Sequence, residues 1–188
     1  KNSKVTPIQP QFLDFKKDLT IGKTSKNIPL IYKQNTQDGL FNLVFRYEFG
    51  DEDDLRYGYA ADYLNYIGTK KMDVSDINKA FYDLACNYSV STTNNTLQIS
   101  LNGLNENLPK ALKLMENVLK NAQADKESWE QYVEQVEKGR EDAKTDQKTN
   151  FNYLWNYCKY GKYNPARNDI SIEDLKKVNP QEYINLLA

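Results

Sequence analysis

The sequence predicts an α+β fold, an antiparallel or mixed sheet built from two hairpins with helices packed on one face, and three features predict it. Two pairs of short stretches flank turn signals, most of them alternating apolar and polar residues at period two. Longer stretches place apolar residues three and four apart, as amphipathic helices do. The strands come in pairs and the helices in runs, without the strand–helix alternation of a doubly wound sheet.

Residues 1–26 read as an N-terminal arm or linker, and 27–188 as a single domain truncated at its C-terminus. The chain opens on Lys1 rather than methionine, which reads as a piece trimmed from a longer protein. Asn27–Gln34 is a short apolar run, and Asp38-Gly39 is the turn signal that would join it to the next strand. That next strand sets Phe41, Leu43, Phe45, Tyr47 and Phe49 at period two. Asp51-Glu52-Asp53-Asp54 then opens a helix whose stripe is Leu55, Tyr59, Tyr63, Tyr66 and Ile67, ending at Gly68. A second helix, capped by Asp73 or Ser75, buries Ile77, Ala80, Phe81 and Leu84.

Tyr88, Val90 and Thr92, then Leu97, Ile99 and Leu101, form the second hairpin about an Asn94-Asn95 turn. From Asn105 the period lengthens again, with Leu108, Ala111, Leu112, Met115, Val118 and Leu119 on one stripe and Pro109 in the first turn. Asp125 caps a long helix carrying Trp129, Tyr132, Val133 and Val136, whose polar continuation runs through Lys148. Phe151, Leu154, Trp155 and Cys158 form one more stripe, which Gly161 stops. Two short helices close the chain, capped by Ser171 and by Asn179 with Pro180 at the first helical position.

The bulk numbers exclude several function classes. Lys and Arg number 25 against 26 Asp and Glu, a net charge of -1, so nothing draws the chain to nucleic acid. No apolar run approaches the roughly 18 residues of a membrane span. With no histidine, Ser-His and Cys-His nucleophiles and imidazole zinc ligands are ruled out. No Gly-rich phosphate loop is present. Cys86 and Cys158 are too few for a disulfide framework and read as buried free thiols.

Carboxylates and tyrosines remain. The Asp51–Asp54 cluster lacks the alternating ligands and glycine of a calcium loop, which favours a solvated helix cap over a cation site. A carboxylate-pair hydrolase of sugars stays open, since its two acids can lie anywhere in sequence. The 14 tyrosines include Tyr57, Tyr59, Tyr63 and Tyr66, then Tyr153, Tyr157, Tyr160 and Tyr163. Their helical spacing favours core and interface packing in both groups over a sugar or peptide platform.

Gly68-Thr69-Lys70-Lys71 followed by Val74–Leu84, and Asn105-Glu106-Asn107-Leu108-Pro109-Lys110-Ala111-Leu112 after the second hairpin, resemble insulinase/pitrilysin-type zinc metallopeptidases. The resemblance runs from about Asn27 to Asn179. In catalytic domains of that family an inverted H-x-x-E-H motif, two zinc ligands and a general base, lies on the helix before the Gly-Thr. Counting back from Gly68, Tyr59, Asp62 and Tyr63 hold those positions. A phenol ionises near pH 10, so deprotonating each tyrosine at pH 7 costs about 4 kcal/mol before any coordination. The family's third ligand is a glutamate on a later helix, within Glu130 to Glu141 here, where Glu134, Glu137 and Glu141 read as a solvated face.

The resemblance therefore implies a domain without its own zinc site, catalytic residues or cofactor, one that helps to enclose a peptide in a zinc-dependent metalloendopeptidase. Zinc is expected in the catalytic domain of the parent, on the same chain or on a partner subunit, with a peptide as substrate. The alternative is a scaffold or protein-interaction subunit built on a peptidase fold. The Lys-, Asn- and Tyr-rich style of the chain points to a bacterial, extracytoplasmic location.

Overall fold

Short-range signals set the turns and helix ends, and they divide cleanly between two compact units, Lys1–Gly39 and Leu40–Ala188. The structure is a computed structural model that describes residues 9, 10, 12, 14–163 and 169–188.

In the first unit, helix α1 (Phe15–Asp18) precedes strand β1 (Thr20–Lys23), which pairs antiparallel with β2 (Pro29–Tyr32). Asn27 takes a positive φ of 64° in the turn, and the Thr24 hydroxyl oxygen accepts from the Ile28 amide at 3.1 Å. The sequence expectation of a hairpin across Asp38-Gly39 is corrected here. Strand β2 pairs with β1, and β3 (Leu40–Tyr47) pairs instead with β5 (Leu97–Leu104), Leu43 opposite Leu101. The tight Thr24–Asn27 turn closes β1 onto β2 over fewer residues than the connection between β2 and β3. The period-two face of β3 finds its match in the alternation of Leu97, Ile99 and Leu101.

The second unit is organised on that sheet, which has strand order β3-β5-β4, where β4 is Cys86–Thr92 and all pairings are antiparallel. The expected β4–β5 hairpin is present, its turn closed by Thr93 N–H donating to the Thr96 carbonyl at 2.8 Å. One sheet face is apolar: Leu97, Ile99, Leu101 and Cys86 are buried, with Phe41, Leu43, Tyr88 and Val90 packed beside them. On the other face Asn87, Ser89, Ser91 and Asn102 are exposed. The helices cover the apolar face, which gives the predicted antiparallel α+β arrangement.

The helices of this unit are α2 (Arg56–Tyr63), α3 (Val74–Asp83), α4 (Leu108–Asn121), α5 (Lys126–Thr145), α6 (Gln147–Tyr160), α7 (Ile172–Leu175) and α8 (Pro180–Asn185), and all but α6 bury residues in the core. Asp73 caps α3 in a reciprocal capping box with Asp76, and Asp125, Ser171 and Asn179 cap α5, α7 and α8. The Ser128 hydroxyl and amide hold the Asp125 carboxyl below its ordinary range.

Two boundaries differ from expectation. The acidic loop lies before α2 rather than inside it: the Asp53 carboxylate accepts from the Gly50 amide, and Asp54 pairs with Arg56. The long polar helix does not reach Lys148, because the Asp146 side chain accepts the Thr149 amide at 2.6 Å and starts α6. Gly161, at φ 65°, stops α6 as expected. Cys86 is buried, whereas Cys158 is exposed on α6, correcting the expectation of a second buried thiol.

Candidate functional site

Tyr59, Asp62 and Tyr63 lie on one face of α2, and their surroundings come from α5, α8 and the segment before α7. Tyr63 is fully buried. Its ring meets Trp129 edge-on at 4.8 Å and lies 5.6 Å from Tyr132. Its hydroxyl donates to the Asp125 carbonyl at 3.0 Å and shares a 2.8 Å hydrogen bond with the Ser128 hydroxyl, so it pins the start of α5.

Tyr59 sits one turn earlier and is half-buried. Its hydroxyl donates to the Asp169 carboxylate and accepts from Arg140 Nη2 at 2.6 Å. The Arg140 guanidinium closes the triangle with Asp169 at 2.8 Å. Three separate segments of the unit are thereby tied at one hydroxyl. Tyr66 extends the network, donating to the Gln135 side-chain oxygen at 2.8 Å. Tyr132 packs beside Tyr63, Tyr66 and Trp129, and its buried hydroxyl lacks a hydrogen-bond partner among the described residues.

Asp62, the third residue of that face, is solvent-exposed. Desolvation, with the Asp51 charge nearby, pushes its carboxyl up from the ordinary range. Desolvation raises the Tyr59 phenol strongly, with Asp169 adding to it, and raises the Tyr63 and Tyr132 phenols as well. Tyr59, Tyr63 and Tyr132 are therefore neutral at physiological pH.

This donor set does not suit a zinc ion. Tyr63 is committed to backbone and side-chain hydrogen bonds, Tyr59 to an ion pair, and the Arg140 cation stands on the α5 side of Tyr59. Among the described residues, no group of three or more His, Cys, Asp or Glu converges as metal ligands would. On α5, Glu137 instead pairs with Lys176 and Glu141 with Lys144, in line with a solvated face.

Arg140 and Asp169 were not singled out by sequence reasoning. A weak signal was available: Arg140 is one of four arginines in a lysine-rich chain, and arginine is the cation suited to multiple simultaneous hydrogen bonds. The two tyrosine groups also part company. The α2 group packs and hydrogen-bonds, whereas Tyr153, Tyr157 and Tyr160 on α6 are each about half exposed and lie outside the core, and the side chain of Tyr163 lies outside the described residues. A cleft of about 460 Å³ opens beside β4, lined by Asn65, Ile67, Asn78, Phe81, Asn87 and Tyr88 among others; neither Tyr59, Asp62 nor Tyr63 lines it.

No family model matches the sequence, and no curated protein matches it. Solved structures do share its fold. A point mutant of the ferredoxin protease FusC in complex with Arabidopsis ferredoxin aligns with a TM-score of 0.74 at 11% identity, over 100% of this chain and 23% of that one. The peptidase M16 inactive domain from Pseudomonas fluorescens gives 0.73 at 16%, over 90% and 42%. The periplasmic protease PqqL from Escherichia coli gives 0.71 at 10%, over 98% and 21%. The chain thus has the fold of M16-type peptidases and spans less than half the length of each of these proteins.

Proposed function

We propose that this chain, with its M16-type peptidase fold, is a non-catalytic domain that helps to enclose peptide substrates of a zinc-dependent metallopeptidase. The catalytic zinc domain would lie on the same polypeptide or on a partner subunit, in an extracytoplasmic bacterial setting. One observation carries the reading: the positions matching the zinc motif hold two neutral tyrosines, one buried and one tied to Arg140 and Asp169. The fold likeness to an inactive domain and to a protease in complex with a ferredoxin supports it. A scaffold subunit on the same fold is the second reading, favoured by the exposed aromatic face of α6. An intact H-x-x-E-H in the parent or a neighbouring gene separates the two.

The test is direct. Quenched fluorogenic peptides incubated with the chain and micromolar zinc are expected to remain intact. Cleavage that Tyr59→Phe with Tyr63→Phe abolishes would sink the proposal.

A further inference from the structure

Helix α6 is inside out. Its apolar stripe, Phe151, Leu154, Trp155 and Cys158, follows the i, i+3, i+4, i+7 spacing by which helices bury a face. Yet Phe151 is 62% exposed, Leu154 60% and Trp155 64%, and no residue of the helix is buried. The less exposed residues are polar, Thr149 and Asn156, on the opposite side. In α4 and α5 the corresponding stripes, such as Ala111, Met115 and Val118 or Trp129, Tyr132 and Val133, are in the core. A contiguous aromatic stripe facing solvent marks a surface that a partner covers.

Charge selects the partner. Residues 147–162 carry Lys148, Lys159 and Lys162 and no carboxylate, in a chain whose 26 acids outnumber its bases. Lys148 and Lys159 flank the apolar stripe on one side, each within about 100° of its centre on a helical projection. A second copy would set the same lysines against these, which opposes self-association. Three lysines also fall below the clusters of roughly four to eight that hold an anionic membrane. The stripe and its lysines fit a chain offering apolar and acidic side chains together. The 14 residues of α6 span about 21 Å, the length of roughly six residues of extended peptide.

We propose that this face of α6 is a docking surface for a polypeptide segment bearing apolar and acidic side chains. It deepens the peptide-enclosing reading and rests on it, giving that enclosure a contact face and a substrate preference.

The experiment is fluorescence anisotropy on the chain with a labelled peptide alternating Glu with Phe and Leu, and with a twin in which Lys replaces every Glu. Saturable binding of the acidic peptide is expected, weaker by about ten-fold or more for the twin. Phe151→Ser, Leu154→Ser and Trp155→Ser together are expected to weaken it as much with the circular dichroism spectrum unchanged, since all three side chains are solvent-exposed. Lys148→Glu, Lys159→Glu and Lys162→Glu together reverse the preference between the two peptides. The proposal is overturned by absence of acidic-peptide binding, or by binding that the serine variant retains. Co-sedimentation with phosphatidylglycerol vesicles in place of peptide binding, or a dimer that the serine variant dissolves, would also overturn it. Zinc-dependent peptide cleavage would end the non-catalytic reading and leave this binding result standing, so the two failures are distinguishable.

Discussion

Trp129→Ala is expected to cost about 3–5 kcal/mol of stability, read as a lowered urea midpoint at unchanged slope. Trp129 is 3% exposed and contacts Tyr63, Tyr132 and Tyr183 through ring pairs at 4.8, 5.5 and 5.2 Å. Its indole N–H donates to the Leu175 carbonyl at 2.9 Å. Truncation removes a large apolar volume and strands that carbonyl, so the loss belongs at the upper end of the range. Trp129→Phe keeps a ring and loses the donor, and about 1–2 kcal/mol is expected. Equal effects for both variants would contradict the packing account.

Gly103→Ala is expected to destabilise by roughly 3 kcal/mol, through backbone strain and overpacking together. Gly103 has φ 149°, a region nearly closed to residues with a Cβ. It lies in the central strand, opposite Cys86 on β4 and Phe41 on β3. An added Cβ would stand 2.4 Å from the Ala85 carbonyl oxygen and 2.5 Å from Cys86 Sγ. Neither backbone nor a buried sulfur can give way cheaply there. Gly139→Ala is the control: its Cβ would meet nothing within 4 Å, and helix propensity alone should gain about 0.5–1 kcal/mol. A thermal melt of both variants tests the pair, and a stabilising Gly103→Ala would contradict the geometry.

What was legible in the sequence was local. The caps Asp73, Asp125, Ser171 and Asn179 act within a few residues of themselves, so their types and spacing sufficed. The β4–β5 hairpin was legible for the same reason, because its turn lies between its strands. The partner of β3 was not, since a turn signal at Asp38-Gly39 does not specify which strand completes the pair. Periodicity also left sidedness open. The stripe Phe151, Leu154, Trp155 and Cys158 has the pattern of a core face, and only the fold shows that it turns outward.

The candidate site shows the same limit. The register counted from Gly68 located Tyr59, Asp62 and Tyr63, but what surrounds them arrives from far along the chain. Arg140 lies 81 residues from Tyr59 and Asp169 lies 110. No spacing rule links residues so distant. Once folded, a guanidinium and a carboxylate converge on a neutral phenol, a structural pairing at a position where the resemblance to zinc peptidases would put a metal donor.

That pairing is the central claim, and metal analysis tests it most directly. The purified chain, equilibrated with zinc and dialysed into metal-free buffer, is expected to retain far less than stoichiometric zinc, with or without Tyr59→Phe and Tyr63→Phe. Stoichiometric zinc in the unaltered chain, lost in the double phenylalanine variant, would contradict it.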